Sequence, residues 1–239
     1  MAARAMISLR NISFAYPAAP GRAETFSLYI DSLMLADGEL AACIGPSGCG
    51  KTTLVNLLAG MLTPSAGEVE IDGVRISELS DAERRLFRAS RIGLVFQEFE
   101  LLEYLSALDN ILLPFRFEGG PGMREGRRRA AELASRLGVA HTLGAKPRAL
   151  SQGERQRIGI CRAMITKPRL VLCDEPTGNL DPSATESAVD LLISEAKENG
   201  ATLFMVTHNH GLLRHFERVI DLSHFRCRHN MRSVEGKPG

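Results

Sequence analysis

The segment that most constrains this chain is Gly45-Pro-Ser-Gly-Cys-Gly-Lys-Thr-Thr53, which follows the apolar run Glu39-Leu-Ala-Ala-Cys-Ile44 without a break. A short, continuous apolar run reads as a buried parallel strand, and Leu54 to Met61 beyond the glycines reads as a helix. A strand, a glycine-rich turn and a helix in that order bring backbone N–H groups and the positive helix end around one point. Gly45, Gly48 and Gly50 let the backbone curl inward, and Pro46, Ser47, Cys49 and Thr53 complete the loop. Lys51 adds a point charge, and Thr52 adds a hydroxyl at the start of the helix. Such a concavity takes a polyphosphate.

The spacing Gly45-x-x-x-x-Gly50-Lys51-Thr52 fits the P-loop pattern, in which the lysine faces the β/γ-phosphates and the Thr hydroxyl suits Mg²⁺. A second strand-like run, Arg169-Leu-Val-Leu-Cys-Asp174-Glu175, ends in two carboxylates. Alone, an apolar run followed by Asp-Glu is common. Beside a P-loop, Asp174 reads as the Mg²⁺ carboxylate. Glu175, expected on the opposite side because neighbouring strand residues alternate, reads as the group that polarises an attacking water. The pair favours nucleotide hydrolysis over phosphoryl transfer to an acceptor.

The rest of the chain supplies an α/β frame. Ile7 to Phe14, Phe26 to Ile30, Gly67 to Ile71, Ile92 to Phe96, Leu170 to Cys173 and Thr202 to Val206 read as strands, with PAAPGRAE a connection between the first two. Strands alternating with helices imply a parallel sheet with helices on its faces. About Glu98 to Ile165 reads as mostly helical, broken at Glu118-Gly-Gly-Pro-Gly122, and looks like an inserted subdomain. Arg127-Arg128-Arg129 reads as a solvated helix face.

The 29 Lys+Arg against 28 Asp+Glu leave a net charge of +1, which argues against a dedicated nucleic-acid binder. No apolar run reaches a membrane span and the N-terminus has no signal-peptide core, so a soluble, cytoplasmic protein is expected. Cys43, Cys49, Cys161, Cys173 and Cys227 are odd in number with no CxxC pair, and read as reduced thiols. The late His208, His210, His215, His224, Cys227 and His229 match no familiar metal-ligand spacing.

Leu150-Ser151-Gln152-Gly153-Glu154-Arg155-Gln156-Arg157 resembles the signature motif of ABC-type ATPases and stands shortly before the acidic strand, as that family has it. Other family motifs are matched in order: Tyr16 resembles the adenine-stacking aromatic, Gln97 the Q-loop glutamine, Gly178-Asn179-Leu180-Asp181 the D-loop, and His208 the switch histidine. The resemblance spans about residues 6 to 222. It implies a single ABC ATPase domain over 1–239: a RecA-like P-loop NTPase core, an N-terminal antiparallel β-subdomain and the helical subdomain at about 98–165. It also implies ATP and Mg²⁺ as cofactors, with Gln97 joining Thr52 and Asp174 at the metal. Glu175, His208, Lys51 and Gln97 would be catalytic, and Ser151 and Gly153 of a second subunit, with Asp181, would complete the nucleotide site in a head-to-tail homodimer. The groove around Gln97 and Phe99 to Leu113 would receive an integral membrane permease. That partner would hold the protein at the inner face of the cell membrane.

Glu175-Pro-Thr-Gly-Asn-Leu-Asp181 and Asp109-Asn-Ile-Leu-Leu-Pro114 look like the lipoprotein-release and macrolide-efflux group, and the related cell-division ABC ATPase shares much of the pattern. Two other readings stay open: a soluble ABC ATPase acting on nucleic acid, and a nucleotide-binding module without turnover. Near-neutral charge counts against the first, and intact Lys51, Asp174, Glu175 and His208 against the second. Gln152, Glu154 and Asn209 depart from the family's usual residues. The end, Asp221-Leu-Ser-His-Phe-Arg-Cys-Arg-His-Asn, lacks the expected Asp-Gly turn before a last strand.

Overall fold

A computed structural model describes residues 5–17, 24–97, 100–116, 122–178 and 182–231. Two five-stranded sheets organise them. In the first, β1 (Ala5–Ala15), β2 (Glu24–Ala36), β4 (Ala66–Ile71), β5 (Val74–Arg75) and β10 (Arg226–Met231) pair antiparallel in the order β10-β2-β1-β4-β5. In the second, β3 (Leu40–Ile44), β6 (Ile92–Phe96), β7 (Leu170–Asp174), β8 (Thr202–Val206) and β9 (Arg218–Asp221) pair parallel in the order β6-β7-β8-β3-β9.

The parallel strands are apolar throughout because both faces are covered. Leu40, Ala42, Val171, Cys173, Leu203 and Met205 point into a core shared with the helices. Their neighbours Ala41, Cys43, Leu170, Leu172, Phe204 and Val206 point into a second core. That second core is closed by α1 (Lys51–Leu58) and by the antiparallel sheet, through Ile7, Leu9, Leu28 and Ile30. The period-two alternation thus assigns one strand to two cores. The remaining helices are α2 (Asp81–Arg91), α3 (Ala107–Ile111), α4 (Met123–Arg136), α5 (Gln152–Met164) and α6 (Pro182–Glu198).

Several sequence expectations are corrected. The helix expected at Leu54 to Met61 begins at Lys51, because Gly50 serves as its N-cap, and ends at Leu58. The block expected to be mostly helical is interrupted. Ser106 caps the five-residue α3, Leu113–Arg116 is a short 3₁₀ turn, and two further 3₁₀ turns at Ala140–Thr142 and Pro147–Ala149 lie between α4 and α5. Residues 118–121 of the expected break lie outside the described residues. The chain end forms a strand despite lacking Asp-Gly. The Asp221 carboxylate accepts from Ser223 N–H at 2.9 Å and starts a 3₁₀ turn over Leu222–His224, after which β10 pairs with β2. Among the described residues no helix is long and apolar enough to cross a membrane.

Candidate functional site

The loops that follow β6, β7, β8 and β3 leave the same edge of the parallel sheet and are neighbours in that order. Carboxyl ends of parallel strands are where α/β sheets place ligands. After β3, the backbone takes φ values of 153° at Gly45, 79° at Gly48 and 100° at Gly50. At Gly50 a Cβ would also lie 2.6 Å from Phe26 Cζ, so glycine is required by conformation and by space. Gly50 offers no side chain to cap α1, which leaves the first N–H groups of the helix for a ligand. Lys51, only 9% exposed, donates from Nζ to Gly45 O at 2.9 Å and Pro46 O at 3.0 Å, so its charge is held over the loop.

Asp174 ends β7, and Glu175 follows it in the left-handed region at φ 47°. Glu175 thus lies outside the strand, so the expectation from strand alternation does not apply to it: a turn, not the pleat, sets its direction. A non-glycine residue held there is strained, and such strain collects at functional sites. Glu175 N–H donates to Val206 O at 3.0 Å and Gly178 N–H to Glu175 O at 3.1 Å, which fixes the turn. Burial first, and the Glu175 charge, hold the Asp174 carboxyl above its ordinary range, against the Thr52 hydroxyl bond and the Lys51 charge. The Asp174 Oδ1 atom is buried without a hydrogen-bond partner. A buried, unpaired carboxylate oxygen beside a threonine hydroxyl is a hard-oxygen donor set that fits Mg²⁺.

His208 follows β8, and its Nδ1 lies 3.0 Å from Glu175 Oε2. Asn209, where the family often has Asp, accepts from Gly211 N–H at 2.9 Å and starts the turn His210–His215, so the amide does the capping. Gln97 follows β6 and lies close to Gly178, where a Cβ would come within 2.7 Å of Gln97 Nε2. The sequence-expected group of Lys51, Thr52, Asp174, Glu175 and His208 is thus brought together, with Gln97 packed on the turn that carries Glu175.

Tyr16 lies just beyond β1 and is 40% exposed, with its hydroxyl 3.3 Å from Thr53 Oγ1. Its ring meets Phe14 edge-on at 4.9 Å, which holds it upright beside the loop. Ser151 and Gly153 form a second group at the start of α5. Ser151 is its N-cap, in a reciprocal capping box with Glu154. Asp181 lies outside the described residues.

Two contacts here were not foreseen from sequence. Gln156, 2% exposed, donates from Nε2 to Pro176 O at 2.9 Å and so joins α5 to the turn after Glu175. His141 Nε2 lies 3.0 Å from Glu154 Oε1. Gln156 stands inside the recognised motif, but nothing local says that it reaches twenty residues on. His141 had no signal at all.

Cys43 and Cys161 are buried and pushed up to about 12, chiefly by desolvation, and burial also raises Cys173. These thiols stay protonated. Cys49 is buried in the loop, and the Cys227 side chain lies outside the description. Of the late histidines, His215 contacts Glu186 at 3.0 Å and Asp190 at 3.4 Å. Arg127 and Arg128 are exposed, with Arg128 paired to Glu125 and Glu132 along α4.

Beside the site runs a groove of about 280 Å³, with an apolar floor that includes Leu94, Phe96, Leu113 and Pro114, and with Arg88 and Arg162 among its lining residues. Arg162 Nη1 donates to Glu100 O at 2.6 Å. The adjoining segment is held by the fully buried Asn110. Its Oδ1 accepts from Leu102 N–H at 2.8 Å, and its Nδ2 donates to Leu102 O at 3.1 Å and Ser106 O at 3.0 Å.

A glycine loop opening a helix, a lysine folded over that loop and an acidic strand end beside it define a P-loop nucleotide hydrolase. Comparison with known proteins narrows the class: residues 29–178 match the family described as ABC transporter, and the chain belongs to that family as an ATP-binding ATPase subunit. It is 39% identical over 222 residues to the lipoprotein-releasing system ATP-binding protein LolD of Pseudomonas syringae pv. tomato, covering 93% of this chain and 96% of that one. The ABC transporter ATP-binding protein MJ1508 of Methanocaldococcus jannaschii is 39% identical over 217 residues, 91% of this chain and 95% of that protein. Among solved structures, the ATP-binding cassette MJ0796, described as a dimer in a post-hydrolysis state bound to ADP and Pi, superposes with a TM-score of 0.79 at 32% identity. That match covers 96% of this chain and all of the other.

Proposed function

We propose that this chain is one ABC ATPase domain over residues 1–239, with its helical subdomain at about 98–165. It binds ATP with Mg²⁺, closes on a second copy of itself and hydrolyses the nucleotide to drive a separate membrane permease of the lipoprotein-releasing type. The observation that supports this best is the convergence of Lys51, Asp174, Glu175 and His208 at adjacent strand ends.

The residues then divide the work. Gly45 to Thr53 cradle the triphosphate, with Lys51 moving from the loop carbonyls to the β/γ-phosphates. Tyr16, upright and half-exposed beside Thr53, stacks on the adenine. Thr52, Asp174 and Gln97 would hold Mg²⁺, which when bound offsets the charge of the terminal phosphates. Glu175 accepts the proton of the attacking water, and His208, on its other carboxylate oxygen, orients it and faces the γ-phosphate. Ser151 and Gly153 of the second copy close the site, with the start of α5 aimed at the phosphate and Asp181 beside it. The dimeric cassette carrying ADP and Pi supports closure on a second copy.

The apolar groove, with Arg85, Arg88 and Arg162 among its lining residues, suits an amphipathic cytoplasmic helix of the permease, with carboxylates set toward those arginines. It borders β6, whose next residue is Gln97, so a push in the groove reaches the nucleotide site directly. Through that contact the protein sits at the inner face of the cell membrane. Nucleic acid has no part in this reading.

Glu175→Gln tests it. The amide keeps the shape but loses the base, which lowers phosphate release by about 10²–10⁴-fold. The variant accumulates as an ATP-bound dimer on size-exclusion chromatography with Mg²⁺. Phosphate release at the wild-type rate would remove Glu175 from the base role.

A further inference from the structure

The two helices assigned to phosphate in the proposed sandwich begin differently. Gly50 leaves the start of α1 open, whereas α5 is already closed by a carboxylate of its own chain. Glu154 Oε2 accepts from Ser151 N–H at 2.8 Å and from the Ser151 hydroxyl at 2.7 Å. Its backbone N–H in turn donates to Ser151 Oγ at 3.3 Å. The hydroxyl proton that would bind the partner's γ-phosphate is therefore engaged, by an anion that occupies the positive end of the same helix. These bonds hold Glu154 ionised, for its carboxyl lies below the ordinary value, first through the Ser151 hydroxyl and then through the Ser151 N–H. The second oxygen, Oε1, faces His141 Nε2 at 3.0 Å. That ring nitrogen is the donor, since the carboxylate can only accept.

We infer that Glu154 is a built-in competitor for the γ-phosphate, and that His141 holds the displaced carboxylate when the phosphate takes its place; this rests on the sandwich reading of the signature segment. In the open protein Glu154 caps α5 and keeps Ser151 turned inward. On closure the phosphate, with more charge and more acceptor oxygens, takes over Ser151 and the helix end. Glu154 rotates off Ser151 and keeps its bond to His141, which sits outside α5 on the 3₁₀ turn Ala140–Thr142. Two anions then share one helix end, and the histidine reduces their repulsion. Glu154 thereby sets how much ATP is needed to close the dimer. His141 is a positioning residue that acts only through it.

Glutamine separates charge from capping, because it keeps an acceptor for Ser151 and carries no charge. The measurement is the ATP concentration at half-dimerisation, by light scattering in a Glu175→Gln parent. Adding Glu154→Gln lowers that concentration by about two- to fivefold, the range expected for removing one charge at a helix N-terminus. Adding His141→Ala to the parent raises it. Adding His141→Ala on top of Glu154→Gln changes it little, a coupling that a merely structural histidine would not give. Thermal melting without ATP shows whether each variant is folded. An unchanged or higher ATP requirement with Glu154→Gln, in a folded protein, overturns the inference. So does an equal effect of His141→Ala in both backgrounds. If the parent never dimerises with ATP, the sandwich itself is wrong and this inference falls with it.

Discussion

Asp174 sets a carboxyl where the protein gives it little solvation, with Oδ1 buried and unpaired. Its carboxyl is held above the ordinary value of 3.8, mainly by desolvation. The native state therefore binds protons that the unfolded chain has released, and stability from this group falls as pH rises. The contribution is fully present below about pH 3.8 and is lost as pH climbs through the raised native value. Where the carboxylate is ionised, the nucleotide-free protein carries that cost, which a bound cation would offset. Asp174→Asn is accordingly expected to raise the melting temperature of the nucleotide-free protein at pH 7. The gain shrinks as pH is lowered from 7 toward the ordinary value of 3.8, and the extra stabilisation by Mg²⁺-ATP over ATP is lost. Scanning fluorimetry across that pH range checks it. A lower melting temperature for the variant at pH 7 would contradict a desolvated, metal-facing carboxylate.

Among the elements, α5 joins the two halves of the proposed machinery. Its first residues carry the capping box, and one turn later Gln156 reaches Pro176 O, in the turn that begins at the strained Glu175. Gln156→Leu leaves that buried carbonyl unpaired, at a cost of about 1–3 kcal/mol. The expected result is a lower melting temperature, and a fall in kcat larger than any rise in KM for ATP, because the turn rather than the phosphate loop is loosened. A variant that melts like wild type would show that the bond is replaced or idle. The Gln156 contact also shows where sequence reading ends. The strands β3, β6, β7 and β8 were legible because burial on both faces forces continuous apolar runs. The P-loop was legible because its conformation demands glycine at fixed spacing. By contrast α2 was missed, since none of its residues is fully buried and its apolar residues are few among charges; the Ser80-x-x-Glu83 capping box marks its start. The helical block is less continuous than its sequence suggests, because its interruptions depend on long-range contacts such as Ala107 N–H to Ala145 O at 2.8 Å and Leu108 N–H to Leu143 O at 2.9 Å. His208, which meets Glu175 across a long separation, is assigned by family resemblance alone, whereas Glu175 is legible beside the P-loop. Pattern alone would have left His208 a surface histidine.

At the scale of the whole molecule, the proposed sandwich makes a claim about connectivity that no single substitution can test. Each nucleotide would lie between Lys51 of one copy and Gly153 of the other, so each dimer has two composite sites. Lys51→Ala removes the charge facing the phosphates, and alone it should bind ATP poorly and release no phosphate. Gly153→Asp should fold normally, because a Cβ at this position meets nothing within 4 Å. It should also bind ATP as a monomer, yet its carboxylate would face the partner's phosphate and prevent closure. Mixed, the two inactive variants can form a heterodimer in which one site joins the intact Lys51 of the Gly153→Asp copy to the intact Gly153 of the Lys51→Ala copy. The other site then carries both defects. Head-to-tail pairing thus predicts that the mixture releases phosphate faster than either variant alone, and forms an ATP-dependent dimer that neither forms alone. If Lys51 and Gly153 served the same nucleotide within one copy, every site in the mixture would be defective and no rescue would occur. A mixture as inactive as its parents, with both variants folded and Gly153→Asp still binding ATP, would exclude the head-to-tail arrangement.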